Sequence, residues 1–151
     1  MSVTARLGEL GLELPHVVAP VGSYVPAVRA GSLVFTSGQL PMVGGQLSAV
    51  GKVGALVTAE QAKELARTCA LNALAAIDAL VGLDSVVRVV KVVGFVASTP
   101  DFTGQPGVVN GASELLGEVF GEAGAHARSA VGVAALPLDA PVEVELIVEV
   151  A

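Results

Sequence analysis

The most regular pattern in the chain is an alternation of apolar and polar residues near its C-terminal end. Residues 142–150 read VEVELIVEV, in which every second residue is apolar and three of the four residues between them are glutamates. A period of two is typical of a β-strand with one buried face. The pattern therefore predicts a strand with one face on a core and the other carrying carboxylates.

Two other stretches follow the period of a helix. Thr58 and Gln61 have the spacing of a capping box, and residues 59–81 are rich in Ala, Leu, Glu and Lys before Gly82. Residues 108–120 place their apolar side chains on one side and are closed by glycines. We predict two amphipathic helices that cover one face of a sheet.

Further strands are predicted between these elements. Residues 24–29 and 33–37 flank a short glycine-containing turn and predict a hairpin. Residues 86–97 are dense in valine, which favours a mostly buried central strand, with an irregularity at Gly94. Residues 129–136 predict one more strand. The resulting order is β-β-α-β-α-β-β.

This order predicts an α+β fold in which two helices pack on one face of a β-sheet. We expect a single domain over residues 1–151, with residues 1–15 as an N-terminal extension that holds a short amphipathic helix. Gly44 and Gly45 predict a turn, and residues 50–54 are left open between loop and ragged strand. The second face of the sheet needs a cover, and association of subunits is the natural source.

Composition supports association and disfavours nucleic acid as a partner. The chain is 53% hydrophobic and 15% charged, more apolar than a lone domain of this size easily hides. Its 8 Lys and Arg against 14 Asp and Glu give a net charge of −6, the wrong sign for a phosphate-binding surface.

The sequence also bears on the cellular compartment of the protein and on metal and cofactor binding. Cys69 is the single cysteine, which fits a reducing compartment and a role in core packing, and the N-terminal residues do not form a secretory signal. A cytoplasmic protein without a membrane segment is expected. His16 and His126 are far apart, so no metal site is predicted. The sequence also has no phosphate-binding loop or dinucleotide fingerprint, so no nucleotide cofactor is predicted.

The candidate for chemistry is Arg128, which lies between a small-residue loop and an apolar strand. One interpretation is an ion pair with a strand carboxylate such as Glu143 or Glu145. The other is a ligand clamp, because the planar guanidinium binds a carboxylate through two parallel hydrogen bonds. Both interpretations are consistent with the residues alone.

Several segments, taken together and in order, resemble the signatures of the RidA (YjgF/UK114) family. They are GSYV at 22–25, LVFTSGQLP at 33–41, ARSAVGVAALP at 127–137 and VEVE at 142–145. The resemblance extends from about residue 19 to residue 150. It implies a chorismate-mutase-like subunit, three of which form a barrel with pockets between subunits. It also implies hydrolysis of reactive enamines and imines, such as 2-aminoacrylate, to 2-keto acids and ammonia, without a cofactor.

The same resemblance implies roles for individual residues. Arg128 would hold the substrate carboxylate and Glu143 would position the attacking water. Tyr24, with Ser37 and Gly38, would line the pocket. Asn110 is a weaker candidate on the second helix. Each also has a structural alternative: Glu143 as a solvated strand carboxylate, Tyr24 as a core or interface aromatic, Ser37 and Gly38 as a strand-ending turn, and Asn110 as a helix cap or surface residue.

Some positions depart from the family pattern. Ala130 replaces a cysteine that is usual two residues after the arginine, Gly132 replaces a frequent glutamate, and His126 stands where proline is common. The segment 99–107 is longer than in the archetype. These differences indicate a divergent branch and leave two other functions open: a non-catalytic trimer that binds small carboxylates, and an endoribonuclease, which the acidic charge disfavours.

Overall fold

The computed structural model describes residues 2–151, and a five-stranded sheet forms its centre. The strand order is β1-β2-β7-β5-β6, with β5 and β6 parallel and the other pairs antiparallel. The strands are β1 (Ala27–Ala30), β2 (Leu33–Thr36), β5 (Val86–Ala97), β6 (Ala127–Val133) and β7 (Val142–Val150). A separate hairpin pairs β3 (Met42–Val43) with β4 (Gln46–Leu47) through the turn predicted at Gly44 and Gly45.

Helix α2 (Ala59–Val81) has the bounds predicted from the sequence. The Thr58 hydroxyl accepts from the Gln61 N–H at 3.1 Å, and the Gln61 side chain accepts from the Thr58 N–H at 3.0 Å. This capping box satisfies two of the amide groups that a helix N-terminus leaves unpaired. The buried face of α2 is mostly alanine, and Cys69 lies fully buried within it, as predicted.

One of the other two helices differs from its predicted bounds. Helix α3 (Gln105–Phe120) begins three residues earlier than the periodicity indicated, because Pro106 is tolerated in the first turn of a helix. Helix α1 (Val3–Glu9) is the short helix expected in the N-terminal extension; it ends before Pro15, at its C-cap Leu10, and its buried Leu7 belongs to the main core. None of the helices within residues 2–151 combines the length and apolar character that crossing a membrane requires.

Helices α2 and α3 pack on one face of the sheet, as predicted. The residues of β7 alternate strictly between buried and half-buried, so its valines and Leu146 face the helices while its glutamates and Ile147 occupy the opposite face. Phe35 and Val131, on that opposite face, are 37% and 45% exposed. The isolated chain thus leaves a partly apolar sheet face uncovered.

Two sequence expectations about β5 and β6 are corrected. The register of β5 against β7 shifts between Val86 and Arg88 and between Val89 and Lys91, and not at Gly94. Gly94 instead leaves room for Val109 of α3, whose side chain occupies the position that a Cβ would take. The strand β6 starts at Ala127, so Arg128 lies inside it, and it ends at Val133 because the chain then turns toward Pro137.

Candidate functional site

A cavity of about 360 Å³ opens at the end of the sheet where β2 and β7 meet the preceding loop. Four residues predicted from the sequence line it: Tyr24, Ser37, Gly38 and Glu143. The remaining lining is mostly apolar and comes from Val18, Ala19, Pro20, Val21, Pro26, Gln39, Leu40, Met42 and Pro137. The cavity therefore combines one carboxylate with an apolar wall.

Glu143 is the ionisable group of this cavity. Its carboxylate lies over Gly38, where a Cβ would collide with it, so the glycine makes room for the glutamate. No hydrogen bond to the Glu143 carboxylate is present among residues 2–151. Burial, followed by repulsion from neighbouring Glu145, raises the pKa of Glu143 above its ordinary value of 4.5. A carboxylate in this state accepts a proton more readily than a solvated one.

Hydrogen bonds to backbone groups fix the wall of the cavity. Ser37 donates its hydroxyl to Val25 O at 2.5 Å and its N–H to Pro26 O at 2.8 Å, which ties the end of β2 to the loop that carries Tyr24. Tyr24 is 45% exposed, and its hydroxyl accepts from the Val21 N–H at 3.1 Å. The Tyr24 hydroxyl thus stabilises the turn that contains it.

Asn72 of α2 supports the other side of the cavity, and the sequence analysis did not identify it. Its buried amide donates to Leu40 O and to Met42 O, both at 3.0 Å. A polar side chain in the apolar stripe of a helix is a signal that could have indicated this role, because buried amides need partners.

Arg128 lies elsewhere, on the helix-facing side of β6. Its Nη1 donates to Asn110 Oδ1 at 2.7 Å and to Ser113 Oγ at 3.2 Å, and its Nη2 donates to Pro106 O at 3.3 Å. The ion pair with Glu143 or Glu145, one of the two interpretations of the sequence, is therefore not formed within one chain. Asn110 is within α3 and not a cap; its amide oxygen holds the guanidinium.

Strand register places Arg128 and Glu143 on opposite faces of the sheet. Arg128 is level with Val92, which is level with the buried Leu146, whereas Glu143 is level with Phe95 on the other face. Strand β5 also separates them, which adds roughly 10 Å in the plane of the sheet. A single chain therefore holds the candidate residues in two separate groups, the cavity around Glu143 and the Arg128 cluster on α3 and β6, which we refer to as the two half-sites.

The Arg128 cluster includes residues that sequence motifs did not reveal. Ser113 lies three residues after Asn110, so both side chains project from the same side of α3 toward Arg128. His126 contacts Ser113 Oγ through Nε2 at 2.8 Å and Gly124 O through Nδ1 at 2.6 Å. The spacing of Asn110 and Ser113 on one helix face is a signal that could have connected them to Arg128.

Replacement of Glu143 by glutamine is expected to stabilise the fold near neutral pH. The folded pKa of Glu143 lies above its ordinary value, so between these two values the folded chain binds more protons than the unfolded chain, and the free energy of unfolding falls as pH rises. A glutamine side chain does not titrate, so the variant avoids this fall in the free energy of unfolding. Thermal unfolding should give a higher Tm for Glu143→Gln than for wild type at neutral pH, and no gain below pH 4.5, the ordinary pKa. A lower Tm at neutral pH would contradict the expectation and point to a cationic partner for the carboxylate.

Comparison with known proteins gives one family-model match over almost the whole chain. Residues 4–150 match the family model described as "YjgF/chorismate mutase-like, putative endoribonuclease". Protein TCP17 of Trypanosoma cruzi is 48% identical over 151 residues, which cover 97% of this chain and 93% of that protein.

Solved structures agree with this match. The crystal structure of Atu1372 from Agrobacterium tumefaciens, a protein of unknown function, has 46% identity and a TM-score of 0.91, covering 99% of this chain and 92% of the other. TdcF from Escherichia coli, crystallised with bound serine, has 28% identity and a TM-score of 0.66, covering 92% of this chain and 97% of the other. The fold thus extends over proteins whose sequences share between a quarter and a half of their residues with this chain.

Proposed function

The chain belongs to the YjgF (RidA) family, and from this premise and its two half-sites we propose that it hydrolyses reactive enamines and 2-imino acids to 2-keto acids and ammonia. The site of this reaction is a pocket between copies of the chain in a homotrimer. The observation that carries the proposal is the orientation of the Arg128 guanidinium by Asn110, Ser113 and Pro106.

The contacts of Arg128 suit it to bind a carboxylate. A guanidinium has five N–H groups, and the three contacts to α3 use two on Nη1 and one on Nη2. The remaining N–H groups are on Nε and Nη2. Two adjacent donors of this kind match the two oxygens of a carboxylate, and a guanidinium held in place loses less entropy when the ligand binds.

Glu143 supplies the acid and base function. A water molecule adds its oxygen to the electrophilic carbon of the protonated imine, and its proton passes to the Glu143 carboxylate. The same carboxyl group then returns the proton to the nitrogen, and the Glu143 carboxylate takes the remaining hydroxyl proton as the C=O bond forms, the C–N bond breaks and ammonia leaves. Transfer of this last proton to ammonia gives ammonium and restores the carboxylate. The raised pKa of Glu143 moves it toward the working pH, where a general acid or base is most effective. No covalent intermediate with the protein is needed.

Assembly brings the two half-sites together in this proposal. Arg128 is on the edge strand β6, and the uncovered sheet face carries exposed apolar side chains such as Phe35 and Val131. Packing of these faces around a threefold axis would bury them and would let the edge of one copy approach the Glu143 cavity of the next. The mostly apolar cavity wall would then contact the side chain of the imino acid.

Ribonuclease activity, which the family description mentions, receives less support. Four of the 8 Lys and Arg residues form ion pairs with carboxylates, and the net charge is −6. Such a surface repels a polyanion. Binding of small carboxylates without turnover is the second candidate, since the Arg128 cluster requires no catalysis to hold a ligand.

An imine-trapping assay tests the proposal. An amino-acid oxidase generates 2-imino acids in situ, semicarbazide traps them, and an active hydrolase lowers the amount trapped. We expect wild type and Glu149→Gln to suppress trapping, and Glu143→Gln to lose about a hundredfold or more in rate, the scale of a positioned acid or base. Glu149 is the matched control because it lies on the same face of β7, does not line the cavity and does not contribute to the raised pKa of Glu143. Stabilisation by 2-keto acids without any turnover would overturn the hydrolase and favour the binding protein.

A further inference from the structure

We propose that His126 is a positioning residue that sets the orientation of Arg128 through the hydroxyl of Ser113. The inference rests on the proposed function, because it assumes that Arg128 binds the carboxylate. It concerns residues for which the family resemblance implies no role: His126 stands where proline is common in the family.

The hydrogen-bond directions in this relay follow from the chemistry of each atom. Gly124 O can only accept, so the His126 Nδ1 at 2.6 Å carries the hydrogen. In the neutral ring Nε2 is then an acceptor, and the Ser113 hydroxyl at 2.8 Å donates to it. The lone pairs of Ser113 Oγ are thereby directed to Arg128 Nη1 at 3.2 Å.

The relay decides where the Ser113 hydroxyl proton points. Without an acceptor at Nε2, this proton is free to rotate toward the guanidinium, where it would oppose the N–H of Arg128. A hydroxyl that donates to histidine is also a stronger acceptor, since linked hydrogen bonds polarise one another. His126 thus acts on the ligand through Ser113 and Arg128 without touching it.

Both ring nitrogens of His126 are engaged in hydrogen bonds. Gly124 closes the short helical segment Gly121–Gly124, which is separated from β6 by two residues, so one end of the ring is bound to the chain that leads into Arg128. The other end is bound to α3 through Ser113. The half-buried His126 thus links α3 to the start of the strand that carries the arginine.

A pair of conservative variants separates positioning from packing. In His126→Gln the side-chain amide reaches the position of Nε2 and keeps an acceptor for Ser113. In His126→Asn the amide reaches only the position of Nδ1 and keeps the bond to Gly124. We expect His126→Asn and Ser113→Ala to raise KM for imino acids, and Kd for 2-oxobutanoate, about fivefold with little change in kcat, the scale of one lost hydrogen bond. His126→Gln should remain close to wild type.

Two readouts keep this test independent of the reaction. Nitrogen-15 NMR of the imidazole should give the Nδ1–H tautomer in wild type, and Ser113→Ala should shift the Nε2 resonance. If KM and Kd are equal in wild type and all three variants, the relay is overturned and the proposed hydrolase activity is unaffected. An Nε2–H tautomer in wild type would overturn the relay in the same way. If wild type neither hydrolyses imines nor binds 2-oxobutanoate, the proposed function fails, and the tautomer and its response to Ser113→Ala still decide whether the relay exists.

Discussion

Arg128→Ala is expected to lower kcat/KM for 2-imino acids by about a hundredfold or more, because it removes two charge-assisted hydrogen bonds to the substrate carboxylate. The loss should be mainly in KM, since the guanidinium binds the carboxylate in the ground state as well as in the transition state. Measurement of initial rates over a range of imino acid concentrations would separate the two constants.

Arg128→Lys tests which property of the arginine matters. Lysine keeps the positive charge and loses the planar fork, and it cannot satisfy Asn110, Ser113 and Pro106 together. We expect activity between that of wild type and Arg128→Ala, at about a tenth of wild type or less. A lysine variant as active as wild type would mean that charge alone suffices and that the fixed geometry of the cluster is not used.

Stability provides the control for both variants. Arg128 is at an edge strand and its partners on α3 remain close to solvent, so its loss should cost only about 1 kcal/mol in the free energy of unfolding. Arg67→Ala is the matched arginine variant, because Arg67 forms its ion pair with Glu118 on the helical layer, and neither residue contacts Arg128 or lines the cavity. It should keep full activity.

The local elements of this protein are encoded strongly enough to be predicted from the sequence. The capping box at Thr58 and the alternation in β7 fixed the bounds of α2 and β7 correctly, because each depends on neighbours in the chain. The predicted start of α3 was wrong because Gly104, Pro106 and Gly107 are poor helix formers, which the sequence pattern places outside the helix. The first turn of a helix nevertheless tolerates such residues. The shifts in β5 depend on its pairing with β7, which no local pattern encodes.

The sequence motifs indicated individual candidate residues and not their arrangement. Motifs identified Arg128 and Glu143, but whether two strand residues share a face depends on strand order and register, which are set by tertiary packing. Ser113 and His126 were not assigned to the site because serine and histidine are common outside functional sites. Only the position of α3 beside β6 places them next to Arg128.

Mixing of two inactive variants is expected to restore activity, because the proposal draws Arg128 and Glu143 of each pocket from different copies. In a cyclic assembly refolded from equal amounts of Arg128→Ala and Glu143→Gln, each residue of a pocket is wild type in one half of cases, so about a quarter of wild-type activity should return. Exchange of subunits would be verified by native mass spectrometry.

A second mixture distinguishes a shared pocket from one built within a single chain. When wild type is mixed equally with the double variant Arg128→Ala/Glu143→Gln, a shared pocket again gives about a quarter of full activity, whereas a single-chain pocket gives about half. A single-chain pocket also gives no recovery in the first mixture, because every chain lacks one residue. Arg128 and Glu143 lie on opposite faces of the sheet, which favours the shared pocket. Recovery of about half in the second mixture with none in the first would show that the chain rearranges to unite the two residues, and the proposed arrangement of copies would then be wrong.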